Sequence, residues 1–246
     1  YEIIVISILF FILSGIGLQK LDYNTSILDD LRPGNSIYDN VMFVDDHFGG
    51  ILPLEVVIET ADSSILDIEF LSKAEIFQEK LNSYDEIKKT ISLVDHLKVI
   101  NDALDKDKGM ILPETREEVE DYLYDYDTAS TLINENLSKY RISCRVGNIR
   151  SKDADTLRMN IENDFRAMFE EEEEVLISGS TLLALRTGRF LVRDLTNSFV
   201  LAFGIIFVSM IFLFRSFRLS FIALLPNIIP LMTAAAAMGF SGIMLR

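Results

Sequence analysis

Cysteine is nearly missing: the 246 residues hold one, Cys144. A single cysteine excludes an internal disulfide framework and the cysteine-rich zinc sites. Basic charge is short as well, with 23 Lys and Arg against 38 Asp and Glu and a formal net charge of −15. Nucleic acid needs a basic surface to meet its phosphates, so no nucleic-acid partner is expected. Histidine occurs twice, and both His47 and His96 follow an aspartate. Neighbouring residues on a helix point in different directions, so these pairs make poor metal ligands. No nucleophile–base pair, phosphate-binding loop or metal-ligand spacing stands out. The expectation is therefore a protein that is not an enzyme, with no catalytic residue, cofactor or metal site. The acidic run Glu170–Glu174 reads as solvated charge, and Cys144 as a core filler.

Charge is also absent from long stretches. Leu195 to Phe214 is a run of 20 uncharged residues, and Leu219 to Leu245 gives 27 more. Between them stands only Arg215-Ser216-Phe217-Arg218. At about 1.5 Å per residue, 20 helical residues span roughly 30 Å, the thickness of a bilayer's hydrocarbon core. Lipid offers the backbone no hydrogen-bonding partner, so each run is expected as a transmembrane helix, at 195–214 and 219–245. The linker is too short to cross a membrane, so the pair forms a hairpin; the competing reading is a buried hairpin of a soluble protein. Ile3 to Gln19 is a third uncharged run, of 17 residues. It reads as a first transmembrane helix within 1–20, truncated at its start, because a signal peptide needs a basic leading region.

Between these ends, residues 21–197 hold 37 acids and 19 bases. That middle, taken as a domain over 21–194, is long enough for one or two hydrophobic cores. Arg32-Pro33-Gly34 marks a turn. A helix is expected over 37–47, capped by Asn35 or Ser36 and ended at Gly49-Gly50. Then come a strand at 54–60, a helix at 65–82, a strand at 87–93 and a helix at 94–104. Short helices are expected at 114–122 and 130–138. A strand at 140–146, a helix at 153–169 and a strand at 175–178 follow, and from Ser180 the helix runs on into 195–214. Strand–helix–strand thus appears twice. The fold class expected is α+β, with split β-α-β repeats of the ferredoxin-like kind, plus transmembrane helices.

Several segments resemble the resistance–nodulation–division superfamily of membrane exporters, in its lipid-handling, sterol-sensing-like (MMPL-type) branch. They are LDDLRPGNSIYDNVMFVDDHFGGILPLEVVIET at 28–60, FLFRSFRLSFIALLPNIIPL at 212–231 and MGFSGIML at 238–245. The resemblance implies an extracytoplasmic porter domain at 21–194 in a multi-pass protein of the plasma (inner) membrane. Charge alone leaves the orientation open: Arg215 and Arg218 favour a cytoplasmic linker, whereas Arg186, Arg189 and Arg193 argue the other way. The family's proton relay lies on a later helix, and 195–245 holds no Asp or Glu.

Some residues carry two readings. Pro226 and Pro230 lie four apart, with Asn227 beside them, and make either a flexible joint in the third span or a static kink. Ala235, Gly239 and Gly242 form a small-residue patch suited to close helix packing. Phe199, Phe203 and Phe207 face lipid, another helix or a hydrophobic substrate. Arg186, Arg189 and Arg193 contact lipid headgroups or pair with the domain's carboxylates. Asn24 and Asn136 match glycosylation sequons. The leading expectation is an exporter of hydrophobic or amphiphilic molecules, lipids among them, driven by an ion gradient. Its partners are the bilayer, that substrate, the remaining transmembrane helices of the full-length chain and a homo-oligomer. The alternatives are a membrane-anchored lipid sensor or assembly module that moves nothing, and a protein-translocation accessory.

Overall fold

The computed structural model describes Ser26, Leu28, Leu31 and residues 34–60, 64–104, 109–124 and 131–241. The first span expected at 3–19 lies outside them. The chain divides into two compact units, one of them Ser26–Leu185 and the other containing Arg186–Arg246.

The first unit is α+β. Helix α1 (Ser36–Phe48) starts where the Asn35 side chain accepts a hydrogen bond from the Ile37 N–H. It ends at Gly49, whose left-handed backbone returns its N–H to Asp45. The next residue also has a positive φ, and a Cβ on Gly50 would lie 2.9 Å from the Val146 carbonyl oxygen. Glycine is the residue that tolerates both demands. Strand β1 (Leu52–Glu59) follows, then a 3₁₀ turn at Ser64–Leu66 and helix α2 (Ile68–Asn82). Strand β2 (Ile87–Ile91), helix α3 (Leu93–Leu104) and helix α4 (Arg116–Tyr124) come next. Strand β3 (Lys139–Val146), helix α5 (Ser151–Met168) and strand β4 (Glu174–Ser178) complete the unit.

The four strands form one sheet in the order β2-β3-β1-β4, with every neighbouring pair antiparallel. Each strand–helix–strand passage skips one position, and the other passage fills it. Alternation along the strands sorts the two faces. Leu52, Leu54, Val56 and Ile58 of β1 and Tyr140, Ile142, Cys144 and Val146 of β3 point inward and are buried. Phe70, Leu71, Ala74, Phe77 and Leu81 of α2 and Ala154, Leu157, Ile161 and Phe165 of α5 join them in one core. Phe77 meets the stacked rings of Phe165 and Phe169 edge-on, with ring centroids 5.8 and 5.6 Å away. Each fully buried large apolar side chain contributes roughly 1.5–3 kcal/mol, so this double layer is the unit's main source of stability.

A polar network ties α3 to the core. Ser92 accepts the Val94 N–H, and Asp95 accepts the Ser92 N–H at 2.8 Å, a reciprocal cap on the first turn. Gln78 of α2 donates to Asp95 and Thr90 and accepts from Ser92.

The structure corrects several expectations. No helix forms at 131–138. There the Asn134 side chain accepts the Ser138 and Lys139 N–H groups at 2.9 and 2.8 Å, and Leu137 takes a φ of 54°. Local side-chain bonds outcompete the helix. The expected helix over 65–82 is broken at Asp67, where α2 begins. The strand expected to reach residue 93 stops at Ile91, because Ser92 caps α3. Strand β1 starts two residues early and includes Pro53, although it is a central strand. Strand β4 pairs only with Glu55–Glu59, so the missing N–H at Pro53 costs no ladder bond on that side.

After β4 the chain turns at Gly179, which has a φ of +126° and lies against the Pro53 carbonyl oxygen; a Cβ there would come within 2.8 Å. Helix α6 (Ser180–Phe214) follows, then helix α7 (Phe217–Ser241).

Candidate functional site

Among its described residues the sheet unit holds no group of three or more His, Cys, Asp or Glu side chains that could hold a metal ion, and the candidate site is the apolar pair α6 and α7. Helix α6 begins with Leu182 and Leu185 buried in the core of the first unit. Its later residues change character: from Leu195 onward it carries the uncharged run, and its most apolar window is uncovered. Among the described residues, α6 is the one helix long and apolar enough to cross a membrane; Phe217–Pro226, at the start of α7, is a shorter apolar stretch. Membrane association is thus indicated by length and composition. The wider expectation of several spans is carried no further by the geometry.

The turn between the helices is built locally. Arg215 adopts a φ of 50° and donates its N–H to Ile211, closing α6. Ser216 opens α7, accepting the Ser220 N–H on its carbonyl at 3.1 Å and the Ser220 hydroxyl at 2.9 Å. Phe217 meets the edge of Phe207 at a centroid distance of 5.2 Å. Of the aromatic stripe, Phe207 and Phe203 are therefore partly covered, while Phe199 is exposed. Ser209 and Thr233 return their hydroxyls to the Ile205 and Ile229 carbonyls, so neither leaves a bare donor on an apolar surface.

Pro226 and Pro230 both lie inside α7, which continues through them. A proline cannot donate to the carbonyl four residues back, so the oxygens of Ile222 and Pro226 lose their usual partners. Both prolines are exposed. Asn227, Ala235 and Gly239 belong to the same helix, but their side-chain surroundings lie outside the described residues, as does all of Gly242.

Arg186, Arg189 and Arg193 recur at intervals of three and four along α6, which puts them on one face. Arg186 is half-exposed and Arg193 exposed, and among the described residues neither forms an ion pair; the side chain of Arg189 lies outside that set. About three turns beyond Arg193 the face opens again: Gly204 has open space where a side chain would project.

The remaining candidates are plainly placed. His47 stacks on Phe43 at 4.1 Å, and its Nδ1 lies 2.9 Å from the Phe43 carbonyl oxygen, on an exposed helix face. Cys144 is buried on the inner side of the sheet; burial and then the charge of Glu55 push its thiol up to about 12. Glu170 of the acidic run lies 3.9 Å from Lys73, and Glu173 accepts the Glu170 N–H. Asn136 is exposed in the turn before β3.

Two features escaped the reading of the sequence. One is the Gln78–Ser92–Asp95 network, for which Ser92-Leu93-Val94-Asp95 was an available signal, a Ser with an acid three residues on. The other is the charge layout on the outer face of the sheet, which depends on register and has no signature in one strand alone. No protein-family model matches the chain, and no curated protein matches it.

Proposed function

We propose that this chain is part of a membrane transporter of the resistance–nodulation–division type, acting on hydrophobic or amphiphilic molecules such as lipids. The observation that carries the reading is the change of character along α6. One helix begins in the core of an acidic α+β unit and becomes a bare apolar rod long enough to span a bilayer. The interleaved strand order β2-β3-β1-β4 supports split β-α-β units of the ferredoxin-like kind, as a porter domain of that superfamily requires.

In this reading residues 3–19, 195–214 and 219–245 are spans of a multi-pass plasma-membrane protein, and 21–194 faces away from the cytoplasm. Arg186, Arg189 and Arg193 stand within about two and a half turns before the apolar run, at headgroup depth, where cations meet lipid phosphate. Pro226 and Pro230 with Asn227 form a joint in α7, and Ala235, Gly239 and Gly242 seat that helix against a neighbour. Residues 195–245 carry no acid, so the ion-coupling groups lie elsewhere in the transporter.

The test is transport of a fluorescent lipid by the full-length protein in proteoliposomes with an imposed ion gradient. Transport that stops when the gradient is collapsed supports the reading. Transport indifferent to the gradient refutes the coupling, and lipid binding without any movement favours the membrane-anchored sensor. Replacing Pro226 and Pro230 by alanine is expected to slow transport while leaving membrane integration unchanged.

A further inference from the structure

The outer face of the sheet carries charge in a pattern that a single copy of the chain uses only in part. Register sets it out. Lys89 of β2 lies directly opposite Arg145 of β3. Glu59 of β1 lies directly opposite Glu174 of β4. Like charges directly opposite across a sheet are destabilising. Here there are two such pairs, of opposite sign, at diagonally opposed corners of one face. Lys89, Arg145 and Glu174 are exposed, and among the described residues none of them forms an ion pair. Other charges on this face are matched: Arg141 donates to Glu55 at 2.7 Å, and Glu59 of the acidic corner lies 3.0 Å from Lys139, which leaves Glu174 as that corner's open charge. In a chain with so many more acids than bases, leaving two cations side by side without a carboxylate is the anomaly to explain.

We infer that this face is a contact between two copies of the chain, packed sheet to sheet about a two-fold axis. A two-fold axis lying in the plane between the sheets, perpendicular to the line joining the corners, exchanges those corners. It brings Lys89 and Arg145 of each copy over Glu59 and Glu174 of the other. Lys89 and Arg145 then face Glu174 and the Glu59–Lys139 pair in one cluster of mixed sign, formed twice. The middle of the face suits the contact. Val57 and Leu176, opposite each other in register, supply an apolar centre, and the Glu55–Arg141 pair is already neutral. An isologous interface requires a self-complementary patch, and this layout meets that requirement. Four strands about 4.8 Å apart and up to eight residues long give a footprint of roughly 500 Å². That is below the roughly 800 Å² per partner of a standard interface, so the dimer is weak and salt-sensitive.

Charge exchange tests this with the full chain in detergent. The association constant is read by light scattering or sedimentation across a concentration series up to the order of 0.1 mM. Lys89→Glu combined with Arg145→Glu is expected to lower it at least tenfold, and Glu174→Lys alone is expected to do the same. Mixing the two variants re-forms one of the two native clusters and should restore association in part, as a heterodimer. Glu174→Lys relieves a like-charge pair and the double variant only reverses the sign of one, so thermal stability should hold in both, which separates loss of contact from misfolding. No self-association of the unmodified chain over that range would overturn the inference. So would charge variants that associate as well as the unmodified chain, or a mixture that fails to recover.

Discussion

The sheet unit and helix α6 use the same apolar residues in opposite ways. In the unit, Leu, Ile, Val and Phe point at one another, and Phe77 is 0% exposed. On α6 they point outward, and Phe212 is 79% exposed. Water alone rationalises the first arrangement, because burial of apolar area is what holds a small domain against its chain entropy. It does not rationalise the second, since soluble proteins rarely leave large contiguous apolar patches open. The comparison teaches that the two regions are built for different solvents.

The largest expected effect comes from making one change in both. Phe77→Ala should destabilise the sheet unit by about 3–5 kcal/mol, whereas Phe212→Ala should leave its stability within about 0.5 kcal/mol. Denaturant unfolding followed by a signal from the sheet measures both, and a matching loss at Phe212 would erase the distinction. A second pair sharpens it. Leu176 on the outer sheet face and Ile205 on α6 are each 60% exposed. Replacing Ile205 by arginine should oppose membrane insertion by about 2.5–3.5 kcal/mol, while the same change at Leu176 should not alter insertion. A glycosylation-based insertion assay reports the difference.

A smaller effect is expected within the unit. Ser92→Ala removes the cap that starts α3 and should cost about 1 kcal/mol, seen as a lower midpoint with an unchanged denaturant slope. The smallest concerns pH. Cys144 in the folded unit holds its proton more tightly than an ordinary thiol near 9.0, and Tyr140 is raised too, mainly by burial. A raised value means that the contribution is whole below about pH 9 and is lost as pH climbs towards 12. Stability should therefore fall across that window, and Cys144→Ala should make the fall shallower in a pH series of melting curves.

Much of the sheet unit was legible because its periodicities are clean. Phe70, Leu71, Ala74, Phe77 and Leu81 fall on one helical face, and Ala154, Leu157, Ile161 and Phe165 on another. The Asn35 cap and the Gly49-Gly50 stop were readable from residue type. The turn over 131–138 was not, because Asn134 bonds to backbone that a periodic pattern does not weigh. Pro53 argued against a central strand, and only the late start of β4 makes it tolerable. The candidate site was legible as apolar length, whereas the freedom of Arg186 and Arg193 from ion pairs depends on where every carboxylate comes to rest. The corner charges needed the register of three strand pairings, which no single segment encodes.

The interleaved strand order has a consequence for synthesis. Neither half of the sheet is contiguous by itself: β1 pairs with β3 and β4, and Leu52 faces Val146. A ribosome that has finished β1 must add more than a hundred residues before Ser178 closes the sheet. At roughly 5–20 residues per second, that is on the order of 6–24 s during which the β1 edge stands open in the nascent polypeptide. Correct assembly therefore requires that the β1 edge meet no other strand over that interval.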